Sequence, residues 1–287
     1  MQSLITAEEL RQLPPAEPVV LIDARAGPEA RARYQAGHLP GALFVDLETD
    51  LARPTDNAAH GGRHPLPPFA DFARLLGQLG IGPSTSVVVY DDKNGANAAA
   101  RFWWLLASAG HAAVRVLDGG LAAALAAGEP TSSAVEQPAA VPPYPGSGWQ
   151  RPLASTEEVR HASESGESLI IDVREAFRYR GESEPIDLVA GHIPGAINVP
   201  FSTNLDAEGR FLPPAALREK YQALLTGQPP EQAIVHCGSG VTACHTLLAF
   251  ARAGLAVPKL YVGSWSEWSR NAFPLATGDA PGRVDHT

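Results

Sequence analysis

The chain has 287 residues, 45% of them hydrophobic and 18% charged, a composition that excludes a disordered or low-complexity chain. At about 150 residues per domain, this length predicts two domains, each able to build its own core. The net charge of −9 lacks the basic face of a nucleic-acid binder, and two cysteines, Cys237 and Cys244, exclude a disulfide scaffold and a CxxC-type zinc site.

The opening MQSLITAEEL has no basic stretch followed by an apolar one, so no secretory signal is expected. VVLID (19–23) is a β-branched run bounded by turn residues and predicts a buried strand; AGHLPGALFVDL follows at 36–47. PFADFARLLGQLG (68–80) places Phe69, Phe72, Leu75, Leu76 and Leu79 on one helical stripe and stops at Gly80. SVVVY (86–90) predicts a second strand. Arg101 and Arg115 interrupt the best apolar run before it reaches the ~18 residues of a membrane span. These features together predict a cytoplasmic protein with reduced thiols and no membrane or nucleic-acid partner. Residues 132–152, rich in Pro, Gly and Ser, predict a semi-extended surface linker. Beyond it come a strand at SLIID (168–172), AGHIPGAINVPF (190–201), a helix over 214–227, a strand at AIVHC (233–237) and a helix over 241–254. Strands alternating with helices imply a parallel sheet covered on both faces, with ligands at the carboxyl ends of the strands.

Three blocks recur in the same order. Asp23 and Asp172 are 149 residues apart, His38 and His192 154, and Asp91 and Cys237 146, which is the signature of a duplication. Residues shared by both halves, His38 and His192 included, read as architectural, and Asp172 with Arg174 reads as a structural ion pair at a strand end.

The chemistry concentrates at Cys237. It ends a strand, Gly238 and Gly240 allow the next loop to curl with its N–H groups inward, and a helix begins within a few residues. Such a nest stabilises an anion and favours a thiolate nucleophile. A Cys-x5-Arg phosphatase needs an arginine six places on to clamp phosphate; Ala243 stands there, which argues against phosphatase chemistry. Cys244, on the apolar stripe with Leu248, reads as a buried inert thiol.

The paired IDxR and GH[LI]PGA blocks, the Cys237 loop and the terminal LYVGSWSEW (260–268) resemble the two-domain rhodanese-type sulfurtransferases, the family of thiosulfate and 3-mercaptopyruvate sulfurtransferases. The resemblance implies an α/β fold of tandem rhodanese-like domains. The first, 1–131, is inactive because Asp91 stands in place of the cysteine; a linker spans 132–152; the catalytic domain is 153–287. It implies a Cys237 persulfide, with Gly238, Gly240, Val241 and Thr242 around the bound donor, and no metal or organic cofactor. Thr242 could also cap its helix. The neutral loop CGSGVT (237–242) is similar to that of the mercaptopyruvate members, whereas thiosulfate enzymes carry basic residues there. Ser239 would then act in a serine–histidine–acid relay reaching across from the first domain, with His64 as its histidine (His60 being a nearby competitor) and Glu48 or, alternatively, Asp46 as its acid. Arg178 would hold the donor carboxylate, with Arg180 a solvated neighbour or a substitute; where the mercaptopyruvate members place a second arginine, this chain has Ile186. The donor is expected to be 3-mercaptopyruvate, alternatively thiosulfate; the acceptor cyanide, a small thiol or thioredoxin. A non-catalytic persulfide carrier is the reading from a different class.

Overall fold

The computed structural model describes residues 2–14 and 19–282. They group into two units. The first takes the described residues of Met1–Arg53 with Leu66–Arg151 and Ala207–Phe211; the second takes Pro54–Pro65, Pro152–Asp206 and the described part of Leu212–Thr287. The domain limits read from the sequence follow chain order; in space, the short segment that carries His64 groups with the second unit and the stretch 132–151 with the first.

In the first unit, strands β1 (Leu4–Ile5), β2 (Val19–Arg25), β3 (Leu43–Asp46), β4 (Ser86–Tyr90) and β5 (Val114–Leu117) form one sheet in the order β1-β5-β4-β2-β3. All pairs are parallel, with Ile22 opposite Val89 and Leu43. In the second, β6 (Ile170–Asp172), β7 (Ala196–Asn198), β8 (Ile234–His236) and β9 (Lys259–Leu260) give the order β7-β6-β8-β9, again all parallel. A single parallel bridge, Leu153 to Leu260, stands where β1 pairs with β5 in the first unit, so the duplication seen in the sequence is a duplication of topology. Helices cover both faces of each sheet, which is why the strands are continuous apolar runs rather than alternating ones. The helix Ala98–Ser108, AAARFWWLLAS, is buried along nearly its whole length and carries Arg101 inward, where its Nε donates to the Leu51 carbonyl at 3.3 Å. The helices read from periodicity lie at Phe69–Gln78, Pro214–Leu225 and Thr242–Arg252. No described helix is long and apolar enough to cross a membrane.

The repeated blocks build the same device twice. In the first unit Arg25 pairs with Asp23 at 2.7 Å and donates to the Gly37 carbonyl at 2.8 Å. In the second Arg174 pairs with Asp172 at 2.6 Å and donates to the Gly191 carbonyl at 2.6 Å. The histidine of each GH[LI]PG block donates from Nδ1 to a tyrosine carbonyl at 2.8 Å, His38 to Tyr34 and His192 to Tyr179. Each also stacks on that tyrosine's ring, with centroids 3.9 and 3.7 Å apart. The tyrosine hydroxyls close the loop on Ala42 O at 2.7 Å and Ala196 O at 2.6 Å. These groups are buried; the arginines tie each strand end to the loop after the next helix, and the tyrosine and histidine tie that helix to the same loop. The pairs are therefore architecture, common to the half with the cysteine and the half without.

Candidate active site

Cys237 immediately follows β8, and the helix Thr242–Arg252 starts five residues later. The loop needs its glycines. Gly240 has φ +73°, and a Cβ there would stand 2.6 Å from the Val262 carbonyl oxygen. Gly240→Ala is accordingly expected to destabilise the second unit by about 1–3 kcal/mol and to lower transfer activity through a displaced loop, checked by thermal unfolding alongside turnover. The helix takes Val241 as its N-cap residue without a side-chain cap bond, so Thr242 is its first helical residue and not the cap. This corrects the capping role allowed for Thr242. Val241 is buried in the loop, and Thr242 is half-buried.

What such a loop does to an anion is visible in the first unit. Asp91, at the corresponding strand end, accepts from the N–H groups of Lys93 and Gly95 through Oδ1, at 2.8 and 2.7 Å, and of Asn97 and Ala99 through Oδ2, at 3.0 and 3.1 Å. Its side chain fills its own nest. Burial pushes its pKa up even against those four donors. In the second unit the residue at the strand end is a cysteine, whose shorter side chain bears one sulfur.

The segment after β9 fixes the cysteine's backbone. Cys237 N–H donates to Ser264 Oγ at 3.2 Å; Trp265 N–H donates to Cys237 O at 3.0 Å and Ser266 N–H to Gly238 O at 2.8 Å. Behind it, His236 Nδ1 donates to Cys237 O at 3.1 Å, and burial holds that imidazole neutral. Trp265 stacks under the Arg174 guanidinium, its ring centroid 4.6 Å from Cζ. Cys244 is buried, is not in a disulfide, and its thiol donates to the Gly240 carbonyl at 3.3 Å.

Ser239 Oγ and His64 Nδ1 share a 2.7 Å hydrogen bond, both groups being buried. His64 reaches this place because its segment hangs on the same 263–271 stretch. Gly61 N–H donates to Glu267 Oε1 at 2.8 Å, Arg63 N–H to Ser266 Oγ at 3.0 Å, and Asn271 Nδ2 to Ala59 O at 3.0 Å. A Cβ on Gly62, whose φ is +76°, would collide with the Gly263 carbonyl. His60 is exposed. In the first unit, Asp46 Oδ1 accepts from Glu48 N–H at 2.8 Å and Thr49 N–H at 3.4 Å, so its carboxylate shapes its own turn, whereas Glu48 is exposed.

Arg178 is buried on the one-turn helix Ala176–Tyr179. It pairs with Glu184 at 2.7 Å and Asp187 at 3.3 Å. Burial alone would weaken its charge, but these carboxylates outweigh it and hold its pKa above the ordinary arginine value. Arg180 takes the opposite direction: it pairs with Glu182 at 2.6 Å, and its side chain is 32% exposed. Of the two readings of Arg180, this geometry is that of the solvated neighbour. Two residues apart on a helix is about 200° of rotation, so only one of the two arginines can face inward. Ile186 is 54% exposed in a turn whose N–H groups cap Glu184. The cation that sequence reasoning missed is Arg63, which pairs with Asp187 at 3.0 Å. Its adjacency to His64 was the available signal; Asp187, 124 positions away, offered none.

A duplicated parallel α/β unit, with a single thiol loop at the end of one central strand and a carboxylate filling the matching loop, defines the tandem rhodanese class of protein. The Rhodanese-like domain family matches residues 6–127 and 155–271. The chain is 43% identical over 286 residues to a probable 3-mercaptopyruvate sulfurtransferase of Pseudomonas aeruginosa, covering 96% of this chain and 98% of that one. It is 40% identical over 296 residues to a putative thiosulfate sulfurtransferase of Mycobacterium tuberculosis, covering 97% and 98%. Among solved structures, one from Escherichia coli described as a 3-mercaptopyruvate sulfotransferase of the rhodanese fold superposes with a TM-score of 0.74 at 31% identity, covering 93% of this chain and all of that one. The chain belongs to the rhodanese family and is a sulfurtransferase.

Proposed function

We propose that the chain takes the thiol sulfur of 3-mercaptopyruvate and passes it, as the outer sulfur of a Cys237 persulfide, to a thiophilic acceptor. The reading rests on one observation above all, the Ser239–His64 hydrogen bond beside Cys237 in a loop without basic residues. The Cys237 thiolate attacks the donor sulfur. The new S–S bond forms as the C–S bond breaks, and its electron pair leaves on carbon as the enolate of pyruvate. That carbon base needs a proton; Ser239 supplies it and is reprotonated from His64. Arg178 holds the donor carboxylate. The persulfide's outer sulfur, about 2 Å beyond the nearly buried Cys237 thiol, is then what cyanide, a small thiol or a reduced thioredoxin would attack, restoring the thiolate.

The relay supplies a selective test. Sulfite leaving from thiosulfate is a weak base and needs no proton, whereas the enolate does. Ser239→Ala and His64→Gln are therefore expected to lower kcat with 3-mercaptopyruvate by about 10²–10³-fold while changing thiosulfate turnover by less than about threefold. Steady-state kinetics on both donors, with cyanide as acceptor, decides it. Equal losses on both donors would overturn the relay, and a tenfold or greater kcat/KM preference of the wild type for thiosulfate would overturn the choice of donor. A thiosulfate donor is the second reading, favoured by two guanidinium groups, Arg63 and Arg178, beside the cysteine loop.

A further inference from the structure

The backbone next to Cys237 faces two cations. Where a Cβ on Gly238 would stand, Arg63 Nη2 is 3.2 Å away and Arg178 Nη2 is 3.3 Å away, with Asp187 Oδ2 at 3.6 Å. The absence of a side chain at 238 is what lets both guanidinium groups approach. Asp187 gathers them: its Oδ1 accepts from Arg63 Nε at 3.0 Å and Arg270 Nη1 at 3.0 Å, and its Oδ2 from Arg178 Nη2 at 3.3 Å and Arg63 Nη2 at 3.4 Å. Glu184 is the second buried acid, and its partner Arg174 is already balanced by Asp172. Glu175, 3.7 Å from Arg178, is about half exposed and screened by solvent. Three guanidinium groups against two buried carboxylates leave one surplus positive charge on the Gly238 side of the nucleophile.

We propose that Arg63 is a donor-binding residue that, with Arg178, clamps a monoanionic carboxylate over Gly238, and that Asp187 sets the donor's charge by cancelling one of the surrounding cations. This deepens the reading of an α-keto carboxylate donor and rests on it. Two Nη2 groups converging from separate chain segments suit the two oxygens of a carboxylate. One surplus charge matches a monoanion; a doubly charged donor would find the site half neutralised.

Binding, measured without turnover, tests this. In a Cys237→Ser background, calorimetric titration of 3-mercaptopyruvate and of thiosulfate compares the parent with Arg63→Gln and Asp187→Asn. Arg63→Gln is expected to weaken 3-mercaptopyruvate by about tenfold. Asp187→Asn, which adds one net positive charge, is expected to shift the affinity ratio about tenfold towards thiosulfate, an effect that a merely structural tether would not produce. Should Arg63→Gln fail to fold, Arg63→Lys keeps the charge but loses the fork, and an intermediate loss is expected. Affinity for 3-mercaptopyruvate within twofold of the parent in Arg63→Gln, an unchanged donor ratio in Asp187→Asn, or no binding of either donor to the parent would each overturn the proposal. Absence of transfer by the wild type from any donor would sink the persulfide reading instead, while the binding comparison would still decide the role of Arg63.

Discussion

Replacing Cys237 with serine is expected to abolish sulfur transfer, with a loss of at least about 10⁴-fold in kcat on either donor. The size of the effect follows from the chemistry. Transfer requires a nucleophile that forms an S–S bond with the donor and is then regenerated as a good leaving group; a serine hydroxyl is far less acidic and forms no stable oxygen–sulfur equivalent. The substitution is close to isosteric at a buried position whose backbone is held by Ser264 and Trp265, with Ser266 holding the next residue, so the fold should persist. Retained unfolding temperature with lost turnover separates chemistry from folding. Intact mass of the wild type after exposure to donor should rise by one sulfur, and the serine variant's should not. The parallel change Cys244→Ser, in a thiol bonded to the Gly240 carbonyl, should leave the sulfur adduct in place. Turnover retained by Cys237→Ser would end the persulfide mechanism.

The second large effect concerns stability. Arg174→Met is expected to cost the second unit about 3–5 kcal/mol at neutral pH, because it strands Asp172 as a buried charge without its cation. Both groups are essentially inaccessible, 1% and 0% by side chain. For a unit of this size that corresponds to a midpoint lowered by roughly 10 °C. The sign with pH is specific. Burial alone would raise the pKa of Asp172, but the charge of Arg174 and the bonds Arg174 makes hold it below the ordinary carboxylate value. The wild-type contribution is thus fully present above the unfolded pKa of about 3.9 and is lost as pH falls through the lower folded value. Without Arg174, burial dominates and the folded pKa of Asp172 rises. The variant should then gain stability relative to the wild type as pH falls from 7 towards 4. Urea unfolding at several pH values reads this directly. Arg25→Met, in the matching pair with Asp23, should weaken the transition of the first unit at neutral pH and serves as the internal comparison. A deficit independent of pH would mean that lost packing on Trp265, not the stranded charge, accounts for the cost.

Much of this protein was determined by its sequence alone. Apolar β-branched runs, the 3.6-residue stripes and the repeated blocks are local signals, set by backbone geometry and burial over a few residues. They were enough for two parallel α/β units, for the Asp172–Arg174 pair at its strand end, and for a thiol at the turn between β8 and its helix. Shared histidines could be read as architecture because chemistry needs them in one half only, while the fold needs them in both; the two Tyr–His stacks are that architecture. Tertiary structure decided what depends on direction and distance. Arg178 turns inward and Arg180 outward, though both lie in FRYRG, because two residues along a helical path point about 200° apart. The helix enters at Val241, without a threonine cap. The meeting of Arg63, Arg178 and Arg270 on Asp187 joins three separate parts of the chain. No pattern of neighbouring residues encodes that meeting, since a side chain's partner in a charge cluster is set by where packed elements bring it.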